Sequence, residues 1–267
     1  MFSIFSMFSF CVLVSMAAAL AADARHSASD MAEMYQLLGT EGLLSSPAFV
    51  QVRSEIRSNV GGSRDPEENV RCDFQNLRID LSKSTVESND LAGKGMHFSG
   101  VAEVGGKPVD LVVKTLGHYR TYNLSMNKLV RDFGVVNLHA NSKLELKFAF
   151  HDHATQEPVV MDPFYFSFHD IDSGVNLETL SITNFTEYYV QQGHKLFITT
   201  DNNKTTFTSA PSRSEPAPYS LDKMTQQQKK NSVTILYPKT SHFKVIVDVV
   251  GGQAGRNFLF SGYSLIC

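Results

Sequence analysis

The chain has no tryptophan, only three cysteines, and no later apolar run that matches its first 21 residues. Each shortage excludes something. Without an indole, stacking on a sugar ring falls to the nine tyrosines. Without a second run of about 20 apolar residues, no further segment is long enough to span a bilayer as a helix. The formal net charge of −3 supplies no basic footprint of the kind that neutralises phosphates, which argues against nucleic-acid recognition. There is no H-E-x-x-H pair, no G-x-S-x-G elbow, no complete EF-hand loop and no internal repeat.

What is present suits a large core. The 267 residues are 42% hydrophobic and include 19 phenylalanines, enough for one large domain or one domain with an appendage. The opening MFSIFSMFSFCVLVSMAAALA is uncharged and apolar, and Ala19 and Ala21 stand as an A-x-A cleavage site. It reads as a secretory signal peptide, although no Lys or Arg precedes it and an uncleaved anchor is the competing reading.

Secretion decides how the cysteines are read. Cys11 leaves with the leader, so Cys72 and Cys267 remain, and in an oxidising compartment a pair most simply forms one disulfide. Closing so long a loop would contribute roughly 4 to 5 kcal/mol in the chain-entropy model. The alternatives are two free thiols or an intermolecular bond through Cys267. Three sequons, beginning at Asn123, Asn184 and Asn203, fit the same compartment.

Residues 22–69 read as a short helical segment and linker. Asp30 and Ser46 stand as N-caps, Pro47 at a first helical position, and NVGGSRDPEEN has linker composition. The segment is either a helical hairpin on the main domain or a pro-region released near Arg57 or Arg64. Residues 70–267 carry about eleven short alternating runs, including Phe74–Leu81, Lys143–His151, Val159–His169 and Phe243–Val250. The expected fold is an all-β antiparallel sandwich, jelly-roll-like, with a long linker from Asn202 to Asn231. A barrel is the competing architecture.

The most informative stretch is MDPFYFSFHDIDSGVNLE, from Met161 to Glu178. Alternation puts Phe164, Phe166 and Phe168 on one strand face and Tyr165, Ser167 and His169 on the other. Asp170 and Asp172 fall where pairing should end, and with Glu178 they offer the hard oxygen ligands of a calcium site. Acidic residues that cap turn amides are the competing explanation. His151 and His153, with His169, His139 and His118 elsewhere, form a weaker metal candidate, since HDHATQEP also reads as a plain turn. The glycine-rich stretch from Gly251 to Gly262 reads as a β-hairpin turn, with Arg256 paired to a carboxylate of the acidic turn.

Two functional classes follow, and a third stands behind them. The first is a secreted module that binds glycan or a matrix or cell-surface ligand, with calcium as a structural ion. The second is a carbohydrate-active lyase or hydrolase, in which His118, Tyr119 and Arg120 of GHYRTYN would move a proton and neutralise a uronate. The third is a structural wall or coat protein.

Overall fold

Alternating apolar residues need two sheets to bury one face each, and that is the arrangement found. The structure is a computed structural model that describes residues 79–210 and 215–263. The proposed leader, the helical segment, the linker, Cys72 and Cys267 lie outside the described residues. Those residues all fall in one compact unit, Ser54–Cys267.

Among the described residues the strands in the first half of the fold are β1 (Thr85–Asp90), β2 (Gly95–Val104), β3 (Lys107–Thr115), β4 (Lys128–Val130), β5 (Phe133–Leu138), β6 (Ser142–Asp152) and β7 (Phe164–His169). The second half adds β8 (Leu177–Thr183), β9 (Glu187–Val190), β10 (Leu196–Asp201), β11 (Lys204–Ser209), β12 (Val233–Tyr237), β13 (His242–Val250) and β14 (Arg256–Ser261). One sheet has eight strands in the order β1-β2-β3-β6-β13-β8-β11-β10, the other six in the order β4-β5-β14-β7-β12-β9. The pairings are antiparallel. Its inner strands, β5-β14-β7-β12 facing β6-β13-β8-β11, follow the order of a jelly roll.

The core lies between the sheets and is rich in phenylalanine. Leu144, Leu146, Phe148 and Phe150 of β6 face Phe164, Phe166 and Phe168 of β7, all buried. The Phe148 ring stacks on Phe243 at 4.8 Å and meets Phe260 and Phe166 edge-on at 5.0 and 5.4 Å. Full burial contributes about 1.5 to 3 kcal/mol for each such side chain.

The opposite face of β7 is not left to solvent. Ser167 pairs with Thr234 at 2.9 Å, and the His169 ring is held between the hydroxyls of Ser232 at 3.1 Å and Ser261 at 2.8 Å. Residues 215–232 lie over this end of the six-stranded sheet, where Leu221 and Met224 cover Phe133, Val135 and Leu259 in a second apolar cluster.

Several expected boundaries move for identifiable reasons. The run from Val159 does not pair continuously: β7 starts at Phe164, after Pro163, which has no N–H to donate. Leu81 opens a 3-10 turn capped by the Asp80 carboxylate rather than ending a strand. The supposed linker 202–231 contains β11 and the five-residue helix Gln226–Lys230, whose Thr225 and Gln228 form a capping box. The glycine-rich stretch is not a hairpin, because β13 and β14 belong to different sheets and Gly251–Gly255 cross between them.

Candidate functional site

Register decides which loops meet. Because β3, β5, β7 and β13 all end at one rim of the sandwich, the connections 116–127, 139–141, 170–176 and 251–255 gather there. Asn137 of β5 holds the first of them: its Oδ1 accepts from the amides of Tyr122 at 3.1 Å and Asn123 at 2.8 Å, and its Nδ2 donates to Asn257 Oδ1 at 2.8 Å. Gly255 permits the approach of Tyr122 to this rim, since a Cβ there would sit 2.3 Å from that of Tyr122. Tyr122 is left 59% exposed, its ring 5.9 Å from that of His139, with Leu124 and Val175 also exposed.

The acidic turn lies on the same rim, and the structure brings its residues together. Asp170 adopts a left-handed backbone, φ 61°, which ends β7 and turns the chain toward Asp172. Asp172 accepts from the Glu215 amide at 2.7 Å and from Arg256 Nη2 at 2.5 Å. Arg256 Nε donates to Glu178. One guanidinium therefore joins the start of β14 to the β7–β8 turn and to β8, as the expected pairing of Arg256 required. Asp172 and Glu178 are buried.

Among the described residues Asp170, Asp172 and Glu178 crowd around Arg256, and such close carboxylates cannot all ionise freely. Burial, with the Asp172 charge adding and Arg256 opposing, raises the Asp170 carboxyl to about 7. Burial likewise lifts Glu178 to about 8 against the opposing charge of Arg256. The cluster therefore retains protons close to neutral pH. Among the described residues no group of three or more His, Cys, Asp or Glu is arranged to hold a metal ion.

The other sequence candidates are dispersed. Tyr119 packs against the core, its hydroxyl donating to Asn137 O at 2.7 Å and accepting from Asn127 Nδ2 at 2.8 Å, while His118 and Arg120 are exposed. His151 bonds to the Gln156 carbonyl at 2.8 Å, His169 is buried behind β7, and His139 stands at the opposite rim from His153. Asn123, Asn184 and Asn203 are all exposed.

Sequence reading missed a cage on the outer face of the eight-stranded sheet. Asp110 of β3, fully buried, accepts from His97 Nε2 at 2.8 Å, His153 Nδ1 at 3.0 Å, Gln156 Nε2 at 3.2 Å and the Gly100 amide at 2.8 Å. Burial opposes the charge, but these donors outweigh it and hold the carboxyl below its ordinary value. An aspartate among valines in VDLVV was the available signal. Tyr219, exposed beside Arg131, was missed as well.

No family model and no curated protein matches the chain. Among solved structures it is similar to the N-terminal domain of the Streptococcus gordonii adhesin Sgo0707, at 10% identity over 70% of this chain and 59% of that one, with a TM-score of 0.40. It is also similar to the adhesin domain of PrgB from Enterococcus faecalis bound to DNA, at 15% identity over 62% and 66%, TM-score 0.39. A third is TmCBM61 in complex with beta-1,4-galactotriose, at 12% identity over 58% and 85%, TM-score 0.23. The chain thus spans 59% of the first of these, and none of the likenesses assigns a residue role.

Proposed function

We propose that this chain is a secreted β-sandwich binding module whose ligand is a glycan or another cell-surface or matrix component. The observation that carries the reading is Tyr122, a half-exposed ring on a loop tied down at both flanking amides by Asn137. A ring fixed in this way loses little freedom on binding and offers an apolar face to the C–H groups of a sugar. His139, Leu124 and Val175 extend that rim. The lyase reading has less support, because the Tyr119 hydroxyl is engaged by two asparagines while its neighbours His118 and Arg120 face solvent.

A glycan array probed with the full chain tests the proposal. Tyr122→Ala is expected to weaken retained glycans on the order of tenfold or more, the cost of truncating a central aromatic contact, without lowering the unfolding midpoint. Absence of any retained glycan for the wild type would remove the glycan reading. Depolymerisation of an arrayed polysaccharide would move the chain to the enzyme class.

Calcium enters as a second proposal, at the acidic turn. Asp170, Asp172 and Glu178 offer carboxylate oxygens, and a hard cation at Asp170 would take the place of the proton that burial holds there. The expected result is a higher unfolding midpoint in calcium than in chelator, lost in an Asp170→Ala/Asp172→Ala variant. Equal midpoints would leave the balance to Arg256 and bound protons.

A further inference from the structure

The β4–β5 hairpin holds a residue that its own backbone disfavours. Val130 pairs with Phe133, so Arg131 and Asp132 form a two-residue turn, and Arg131 carries φ 54° at the first position, the place that a type II′ turn gives to glycine. A side chain kept where glycine would relax the backbone points to a use for that side chain. The Arg131 guanidinium lies 3.9 Å from the centre of the Tyr219 ring and donates to its hydroxyl. Lys223 Nζ approaches the same ring at 5.5 Å.

Arg131 and Lys223, but not Tyr219 itself, line an open cavity of about 420 Å³ together with Ser82, Asp132, Ser220 and Asp222. Its lining carries two positive and two negative side chains, so the formal charge balances. Asp132 Oδ2 accepts from the Leu221 amide at 2.9 Å, which fixes the 3-10 turn Leu221–Lys223, and Asp222 Oδ1 accepts from Ser220 Oγ at 2.5 Å. Each carboxylate keeps a second oxygen that can accept. Tyr219 remains 54% exposed beside them. Donors and acceptors placed in neighbouring pairs beside an aromatic face suit vicinal hydroxyls, which donate and accept at once, better than a charged group.

We propose that this cleft, on the outer side of the six-stranded sheet, is a second saccharide site that takes an uncharged hexose unit, with Tyr219 as the stacking surface and Arg131, Lys223, Asp132 and Asp222 as hydroxyl partners. The proposal rests on the reading of the chain as a glycan-binding module but not on Tyr122. An ion-pair network that merely staples residues 215–232 to the sheet is the competing explanation, and the two differ in what Arg131→Gly does.

The experiment titrates neutral hexose oligosaccharides into the full chain, followed by calorimetry at low and high sodium chloride, for wild type, Tyr219→Ala, Lys223→Ala, Arg131→Gly and Tyr122→Ala. A cleft of this kind predicts a tenfold or larger loss in the first three variants, an isotherm retained in Tyr122→Ala, and an affinity unchanged by salt. Arg131→Gly should keep its unfolding midpoint, since the relaxed turn offsets the lost contact with Tyr219. Wild-type affinity in all three cleft variants overturns the cleft and leaves the module reading intact. Failure of the wild type to bind any oligosaccharide overturns both. Affinity that falls steeply with salt, or a midpoint that drops in Arg131→Gly with binding unchanged, assigns the cluster to an anion or to stapling and sinks the proposal.

Discussion

Arg256→Ala is expected to lose about 3 to 5 kcal/mol of stability at pH 8, because it strips the counter-charge from two buried carboxylates. For a domain of this size that is a fall of roughly 6 to 20 °C in the unfolding midpoint. Asp172 and Glu178 are both buried and have little water to turn to. The loss should shrink at pH 5. There Asp170 and Glu178, with carboxyls raised to about 7 and about 8, are already protonated in the folded chain and leave less charge uncovered. Arg256→Lys should fall between, since an ammonium restores charge without the fork that reaches Asp172 and Glu178 together.

The same groups set a slope in the wild type. Their folded values stand above the unfolded ones, so their contribution is complete below about pH 4 and is lost as pH rises through 7 to 8. Denaturant unfolding of wild type and Arg256→Ala at pH 5 and pH 8 measures both effects. Equal losses at the two pH values would show that Arg256 acts through packing of its stem and not through its charge.

The second large effect lies at His169 and has the opposite sign. Burial holds this imidazole neutral and lowers it from 6.5 to about 3. A depressed base contributes fully above its unfolded value and loses that contribution as pH falls toward 3, a swing of up to about 5 kcal/mol for a shift of this size. Acid unfolding is therefore expected to be steep below about pH 4, where the contribution of the acidic turn is complete and no longer grows to offset the loss. His169→Gln, whose amide can still meet Ser232 and Ser261 but takes up no proton, should flatten that limb while costing about 1 to 2 kcal/mol at pH 7. Acid limbs that coincide in variant and wild type would clear His169 of the role. Independently of how well the variant folds, the wild-type His169 ring signals should stay untitrated by nuclear magnetic resonance down to about pH 4, and a midpoint near 6.5 would overturn the argument.

Together the two effects place maximum stability on the acidic side of neutrality. His169 removes stability below 6.5, and the acidic turn removes it toward 8.

How much was legible in the residues follows from the range of each signal. Alternation repeats every two residues and needs no partner to be read. It therefore assigned Phe164, Phe166 and Phe168 to the core, and Leu144 to Phe150 opposite them. The pairing of Arg256 with the acidic turn was legible too, because a cation in a glycine-rich crossing and carboxylates after a strand have few other partners. The strands that escaped notice are mostly edges. β1 reads TVESND and β9 reads EYYV, polar runs suited to a border that must not recruit another sheet.

The remainder depended on which strands became neighbours, and no local pattern carries that. Asp110 and His153 are 43 positions apart, and Arg131 and Tyr219 are 88 apart, yet each pair is in contact. The chain by itself determined an all-β body, its core faces and an acidic turn matched to one arginine, because periodicity and charge act on nearby residues. The tertiary structure alone decided that Asp172 and Glu178 are buried, that β13 and β14 belong to different sheets, and that Tyr219 stands beside a charged cleft, because strand order sets which loops share a rim.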